Sequence, residues 1–291
     1  SGVMILIGII SLATFGLKVG IEFSSGSMMT VSFEQKVTQG ELRQELARLG
    51  YANAIVQTAE GGNFYIRTAK LSEEEKAGLK DALMTRFGNV EEMEFYSVSP
   101  MVATETIRNT AIAIAVAAIG MLLYISWAFH RMPNPFRWGT CAIIALVHDV
   151  LVVVGVFAIL GGTFGWQIDL MFITGILTVI GYSVNDTIVI FDRIRENLLK
   201  SAGADFEVVV NNSLLETMSR SLNTGLGTLF VLIALMLFVG APIRNLVVVL
   251  LVGITTGTYS SIGTAAPLLV VWEKGEWGRL IISTCMFPRY D

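Results

Sequence analysis

Four ionisable side chains stand in stretches that are otherwise apolar. Asp186 lies within Gly181-Tyr182-Ser183-Val184-Asn185-Asp186-Thr187, and His148 and Asp149 sit near the middle of Trp138–Gly162. Arg220 borders a third apolar stretch and is followed by Asn223, Thr224 and Thr228, a polar stripe at helical spacing. An ionisable group at mid-membrane costs about 2.5–3.5 kcal/mol on insertion scales, which makes each of these a functional candidate. For Asp186 the chemistry is proton carriage. Burial disfavours the charged form of a carboxylate and a nearby guanidinium favours it, so a motion that brings Arg220 close or takes it away switches a carboxyl between holding and releasing a proton. The plainer alternative is a structural carboxylate satisfied by Asn185, Thr187 or a neighbouring helix. Asp149 is open between a relay member and a simple partner of His148. Arg220 alone reads as an anchor whose long stem reaches the interface, and it gains a role only through Asp186. The expected proton pathway is Asp186, Arg220, Asn185, Thr224 and Asp149, with no catalytic residue, no metal site and no cofactor beyond the protons themselves.

Composition sets the surroundings of these residues. Of the 291 residues 53% are apolar and 15% charged, against about 25% charged in a soluble domain. The charge is also unevenly spread: residues 20–103 carry 20 of the 44 charged side chains. A water-facing insert in a membrane protein follows. A cytosolic enzyme, a secreted disulfide scaffold and a nucleic-acid binder are excluded, since a net charge of −4 offers no basic surface. Cys141 and Cys285 have no disulfide-like or metal-like spacing.

A helix needs about 20 mostly apolar residues to cross the hydrocarbon core. Ile107–Phe129, Trp138–Gly162, Leu170–Phe191, Leu222–Gly240 and Leu246–Trp272 qualify, the last interrupted by Gly, Ser, Thr and Pro267. Val3–Leu17 is read as a first span truncated at its start rather than a signal peptide, so the chain could be the second half of a longer fused polypeptide. Short loops fix the orientation. With the N-terminus inside, Arg131, Arg137, Arg193, Arg195, Lys200, Arg220, Lys274, Arg279 and Arg289 are cytoplasmic, against Lys18, Arg108 and Arg244 outside. The expected organisation is a first transmembrane helix (1–19), an extracytoplasmic domain (20–103), transmembrane helices two to six (104–272) and a cytoplasmic tail (273–291), with both termini cytoplasmic.

Within the insert, Met29, Val31 and Phe33 alternate with Thr30, Ser32 and Glu34 as in a half-buried strand. Thr38 with Glu41, and Ser72 with Glu75, are capping-box pairs ahead of Leu42/Leu46/Leu49 and Leu79/Leu83/Phe87. Ala54–Thr58 and Phe64–Thr68 flank Gly61-Gly62 as a hairpin, and Glu92–Val98 is a last strand closed by Pro100. Strand–helix–strand–strand–helix–strand is the ferredoxin-like order. The domain has no His or Cys, and its run Glu73–Glu75 suits a helix N-terminus. Gly253 and Gly257 form a GxxxG pattern that would let the last helix pack closely on a neighbour.

These residues carry a resemblance. Gly181–Leu198, GYSVNDTIVIFDRIRENL, resembles the fourth-span signature of the SecF family, bacterial protein-export subunits of the resistance–nodulation–division (RND) superfamily. His148-Asp149-Val150, Thr217-Met218-Ser219-Arg220 and Gly257-Thr258-Tyr259-Ser260-Ser261 leading to Pro267 continue the match. Gly20-Ile21-Glu22-Phe23 resembles the segment after the first span, where the family has Asp and a Gly-Gly pair and this chain has Glu22 and Ser24-Ser25-Gly26. Gly225 and Gly227 stand where Ser or Thr is common. The resemblance implies half of an RND-type transporter, with six spans and an external domain after the first, in the bacterial inner membrane. It implies work with SecD, separate or fused upstream, beside the SecYEG channel, where the proton-motive force pulls exported unfolded polypeptide outward, with YajC or YidC as further partners alongside lipid. The proton roles carry onto Asp186 and Arg220.

Two rivals use the same residues differently. A proton-coupled RND-like permease for small molecules or lipids should carry two six-span halves and larger external domains. An intramembrane aspartyl protease would use Asp149 and Asp186 as a dyad sharing a proton, yet no Gly-x-Gly-Asp pattern is present and Arg220 would have no part.

Overall fold

The computed structural model describes residues 1–58, 62–201, 203–238 and 241–275. Gly61, Cys285, Arg279, Arg289 and most of the expected tail lie outside the described residues. The chain divides into two compact units. One comprises Lys18–Ala111 with Gln167–Leu170; the other comprises Ser1–Leu17, Ile112–Trp166 and Met171 onward.

The smaller unit holds a four-stranded antiparallel sheet with two helices that connect its strands. After the short helix α2 (Ile21–Ser24) come β1 (Gly26–Phe33), α3 (Gln39–Arg48), β2 (Ile55–Thr58), β3 (Phe64–Thr68), α4 (Glu73–Phe87) and β4 (Val90–Val98). The strand order is β2-β3-β1-β4, so β1 is central and each helix connects strands that are not neighbours. Both helices begin in complete capping boxes: Thr38 and Ser72 accept from the backbone N–H of Glu41 and Glu75, whose carboxylates reach back to the cap. Met29, Val31, Leu42, Leu46, Val56, Ile66, Leu79 and Leu83 form the core, with Phe33, Leu49 and Phe87 packed at its edge. Alternation along β1 breaks at Thr30, which is buried out of turn. At the same point the pairing with β4 has a bulge: it jumps from Thr30↔Glu94 to Val31↔Glu92 and leaves Met93 over.

Where this chain departs from the Gly-Gly pair, the backbone shows why glycine is favoured. Gly26 has φ 124°, and a Cβ there would run into the carbonyl oxygen of Thr68 at 2.5 Å. Ser25 has φ 60° and ψ 169°, a region that is nearly glycine-only and costs other residues about 1–3 kcal/mol. Ser25→Gly is therefore expected to stabilise this unit by about 1 kcal/mol, since glycine gives back part of the relief as unfolded-state entropy. Slower amide exchange over β1 in the full chain would register it.

Beside this turn, the Arg67 guanidinium donates to the carbonyl of Val19 at 2.7 Å, to the Gln167 side chain at 3.3 Å and to the Ser24 hydroxyl. Gly20 N–H donates to Ile168 O at 2.8 Å, and Ile168 N–H to Lys18 O at 2.7 Å. Burial pushes the Glu22 carboxyl above the usual carboxylate range, and Asp169 adds to this. Its own backbone N–H and Arg67 pull the other way. A carboxyl raised on folding binds its proton more tightly in the folded protein. Its stabilising increment is thus fully present in acid and lost as pH rises through the raised value. Glu22→Gln is expected to flatten that dependence and slow amide exchange of residues 20–26 at neutral pH; an unchanged pH profile would remove Glu22 as its source.

The larger unit is helical. Alongside α1 (Gly2–Phe15), the chain has α5 (Pro100–Ala128), α6 (Pro135–Phe164), α7 (Leu170–Lys200), α8 (Phe206–Phe238), α9 (Ala241–Ser260), a π-helical turn Ser261–Ala265 and α10 (Ala266–Lys274). Among the described residues five helices are long and apolar enough to cross a membrane, the fifth running through α9, the π turn and α10; α1 is shorter, at 14 residues. The protein is a multi-pass membrane protein.

The helices outrun the apolar stretches that announce them. α8 starts at Phe206 rather than Leu222, because Val209, Val210, Ser213 and Thr217 bury a helical stripe in a segment too polar to register as a span. α7 continues to Lys200 through a solvated end laced by Asp192–Arg195 and Glu196–Lys200 ion pairs, both 2.6 Å. The π turn has a local cause. Pro267 has no N–H for the carbonyl of Gly263, and its ring crowds that carbonyl, so the helix widens just before it. Gly253 and Gly257 lie against Val179 and Ser183 of α7, and a Cβ at Gly253 would collide with the Val179 methyls. The GxxxG pattern is thus a close α9–α7 contact.

Candidate functional site

α6, α7 and α9 bring two carboxylates into neighbouring hydroxyl-rich sites. The first surrounds Asp149, which is completely buried. Its Oδ1 lies within hydrogen-bond distance of His148 Nδ1, at 3.0 Å, and its Oδ2 accepts from Ser183 Oγ at 2.6 Å and Ser260 Oγ at 2.8 Å. One oxygen therefore ties α6 to α7 and to α9. The His148 ring lies 6.4 Å from that of Tyr259, with its Nε2 buried and without a hydrogen-bond partner among the described residues.

The second site surrounds Asp186, one helical turn beyond Ser183 on α7. Ser221 of α8, Ser261 of the π turn and the Arg220 guanidinium face its carboxyl. Arg220 is otherwise exposed and, among the described residues, forms no ion pair with Asp186. Asp186 Oδ2 and Ser221 Oγ are buried, and among the described residues neither has a hydrogen bond of good geometry. Ser261 is completely buried. Its hydroxyl lies 2.9 Å from Thr187 Oγ1 and 2.9 Å from Gly257 O, and 3.5 Å from Ser183 O. A single hydroxyl proton thus has a choice of acceptors beside a carboxyl whose Oδ2 has no hydrogen bond of good geometry among the described residues.

Of the residues singled out in the sequence, the structure gathers Asp186 and Arg220, and places Asp149 in the adjoining site. Asn185 is exposed on α7. Thr224 is exposed as well, and its hydroxyl donates to Arg220 O on its own helix at 2.9 Å. Neither enters the hydroxyl network. The oxygens of Asp149 are taken by His148, Ser183 and Ser260, so the shared Asp149–Asp186 hydrogen bond of a protease dyad is absent among the described residues. Sequence reasoning passed over Ser183, Ser221, Ser260 and Ser261 as site residues. Their one visible signal was an unusual density of small hydroxyl residues in apolar stretches beside Asp186 and Gly257.

Comparison with known proteins converges on one group. Residues 79–275 match the family model of the protein export membrane protein SecD/SecF, C-terminal, and residues 10–37 match the SecD/SecF GG motif. The protein translocase subunit SecF of Thermobaculum terrenum is 47% identical over 97% of this chain and 92% of its own length. The protein translocase subunit SecDF of Bacillus subtilis is 35% identical over 95% of this chain but only 37% of its own. Among solved structures, SecDF of Thermus thermophilus, described as a translocon-associated membrane protein, superposes with a TM-score of 0.83 at 30% identity. It covers 94% of this chain, which spans 37% of that longer protein. Matched from its first apolar helix to its last, this chain belongs to the SecF family of protein-export membrane proteins.

Proposed function

We propose that this chain is a proton-motive-force-driven accessory subunit of Sec protein export. It acts with a SecD partner at the SecYEG channel to draw exported polypeptide across the bacterial inner membrane. The observation that carries the proton coupling is the Asp186 site: a carboxyl inside a span, without a firm hydrogen bond on Oδ2 among the described residues, faced by two hydroxyls and by the Arg220 guanidinium. In this reading α1 completes a six-span RND-type half. The β2-β3-β1-β4 unit is a ferredoxin-like extracytoplasmic domain (20–103), and both termini are cytoplasmic. SecD is supported as partner by relatives in which the two are one polypeptide, such as the B. subtilis SecDF.

The test is export of a Sec-dependent reporter in cells whose only SecF is this chain or its Asp186→Asn variant, with and without an uncoupler. The reading requires normal membrane levels of the variant, slow export and loss of the uncoupler-sensitive late stage. Equal export and equal uncoupler sensitivity in the two strains would make Asp186 structural.

A further inference from the structure

Resting on the reading of Asp186 as the proton carrier, we propose that Asp149 is its positioning residue, a fixed anchor that sets the Ser261 hydroxyl against Asp186 rather than a second carrier. Asp149 is completely buried, and both of its oxygens are engaged: Oδ2 accepts from Ser183 and Ser260, and Oδ1 lies 3.0 Å from His148 Nδ1. A carrier has to exchange its proton with water or with the next group. Asp149 instead is closed in by hydroxyls and His148, and Asp186 contributes no hydrogen bond to it among the described residues.

What the three bonds do is mechanical. Ser183 stands one turn before Asp186 on α7, and Ser260 immediately precedes Ser261 on α9. Asp149 Oδ2 grips both. It therefore fixes, from a third helix, the two residues that flank the Asp186 pocket. Such an anchor is needed at this place because Ser261 opens the π turn forced by Pro267, where the regular ladder of helical bonds is interrupted. Without the Ser260–Asp149 bond, the Ser261 hydroxyl keeps its local acceptors, Gly257 O and Thr187. It loses the register that presents it to Asp186.

The test is a double-mutant cycle on uncoupler-sensitive export, in membranes containing this chain with its SecD partner and the Sec channel. Asp149→Asn and Ser261→Ala are each expected to lower that rate on the order of tenfold. The double variant should be no slower than the slower single one, because both remove the same contact; a residue that merely supports the fold gives multiplied effects instead. If Asp149→Asn fails to reach the membrane, Ser260→Ala takes its place in the same cycle with the same expected result. Multiplied effects overturn the proposal, as does a wild-type rate for Asp149→Asn. So does an Asp149→Asn variant that, like Asp186→Asn, has no uncoupler-sensitive export at all, since that makes Asp149 a carrier. A wild-type rate for Asp186→Asn removes the underlying reading and the positioning role together, and the other results leave that reading standing.

Discussion

Replacing Asp186 with Asn is expected to abolish the proton-driven part of export while leaving the amount of chain in the membrane close to normal. Asn has nearly the same shape and is faced by the same Ser221 and Ser261 hydroxyls. The packing of α7 against its neighbours therefore has little reason to change. What Asn cannot do is bind and release a proton. Moving one charge down 100 mV supplies about 2.3 kcal/mol, equivalent to roughly a fifty-fold bias in whatever motion it drives, at 1.36 kcal/mol per tenfold. Each proton lost per cycle forfeits that factor. Export measured against an imposed membrane potential should thus be flat in the variant and steep in the wild type. Asn185→Ala and Thr224→Ala provide a graded comparison. Both residues are exposed and outside the hydroxyl network, so their effects should be far smaller. A steep response that survives in Asp186→Asn would move the coupling to another group.

Much of this architecture is written in local pattern. The spans appear as apolar runs, the two helices of the sheet unit as Thr38/Glu41 and Ser72/Glu75 caps, and the α9–α7 contact as Gly253 and Gly257. Asp186 stands out for the same reason: a charge among apolar neighbours is a local anomaly. The partners that define its site are of another kind. Ser183 and Ser260 meet at Asp149 across 34 and 111 residues of sequence, and nothing in a serine announces a distant carboxylate. The start of α8 was hidden because its buried stripe includes Ser213 and Thr217, which hydropathy counts as polar although their hydroxyls are satisfied by carbonyls of their own helix. The bulge at Met93 and the backbone at Ser25 are likewise invisible to alternation, which carries no record of register shifts or of the sign of φ.

Gly155→Leu is expected to be the most damaging glycine substitution in the helical unit, and the reason separates it from the legible GxxxG pair. Gly155 of α6 faces Gly8 of α1 so closely that a Cβ would sit 2.5 Å from the Gly8 Cα, and a Cβ on Gly8 would lie 3.3 Å from the carbonyl of Leu151. Two turns further along, Gly162 packs against the Phe15 ring. The obstacle at Gly155 is backbone, which cannot rotate away, whereas Gly253 meets the methyls of Val179. Overpacking a tight contact costs about 1–3 kcal/mol and sometimes more, and here the only relief is to part the two helices. α1 packs along α6, so parting the helices at this glycine contact loosens α1. Gly120→Leu is the matched control: it too replaces a helical glycine with a better helix former, but at a position with open space around it. In detergent, the full chain carrying Gly155→Leu should unfold several degrees below the Gly120→Leu chain and expose α1 to protease. Equal melting and equal protection would mean that α1 does not depend on this contact, and that the close approach of Gly8 and Gly155 contributes nothing to stability.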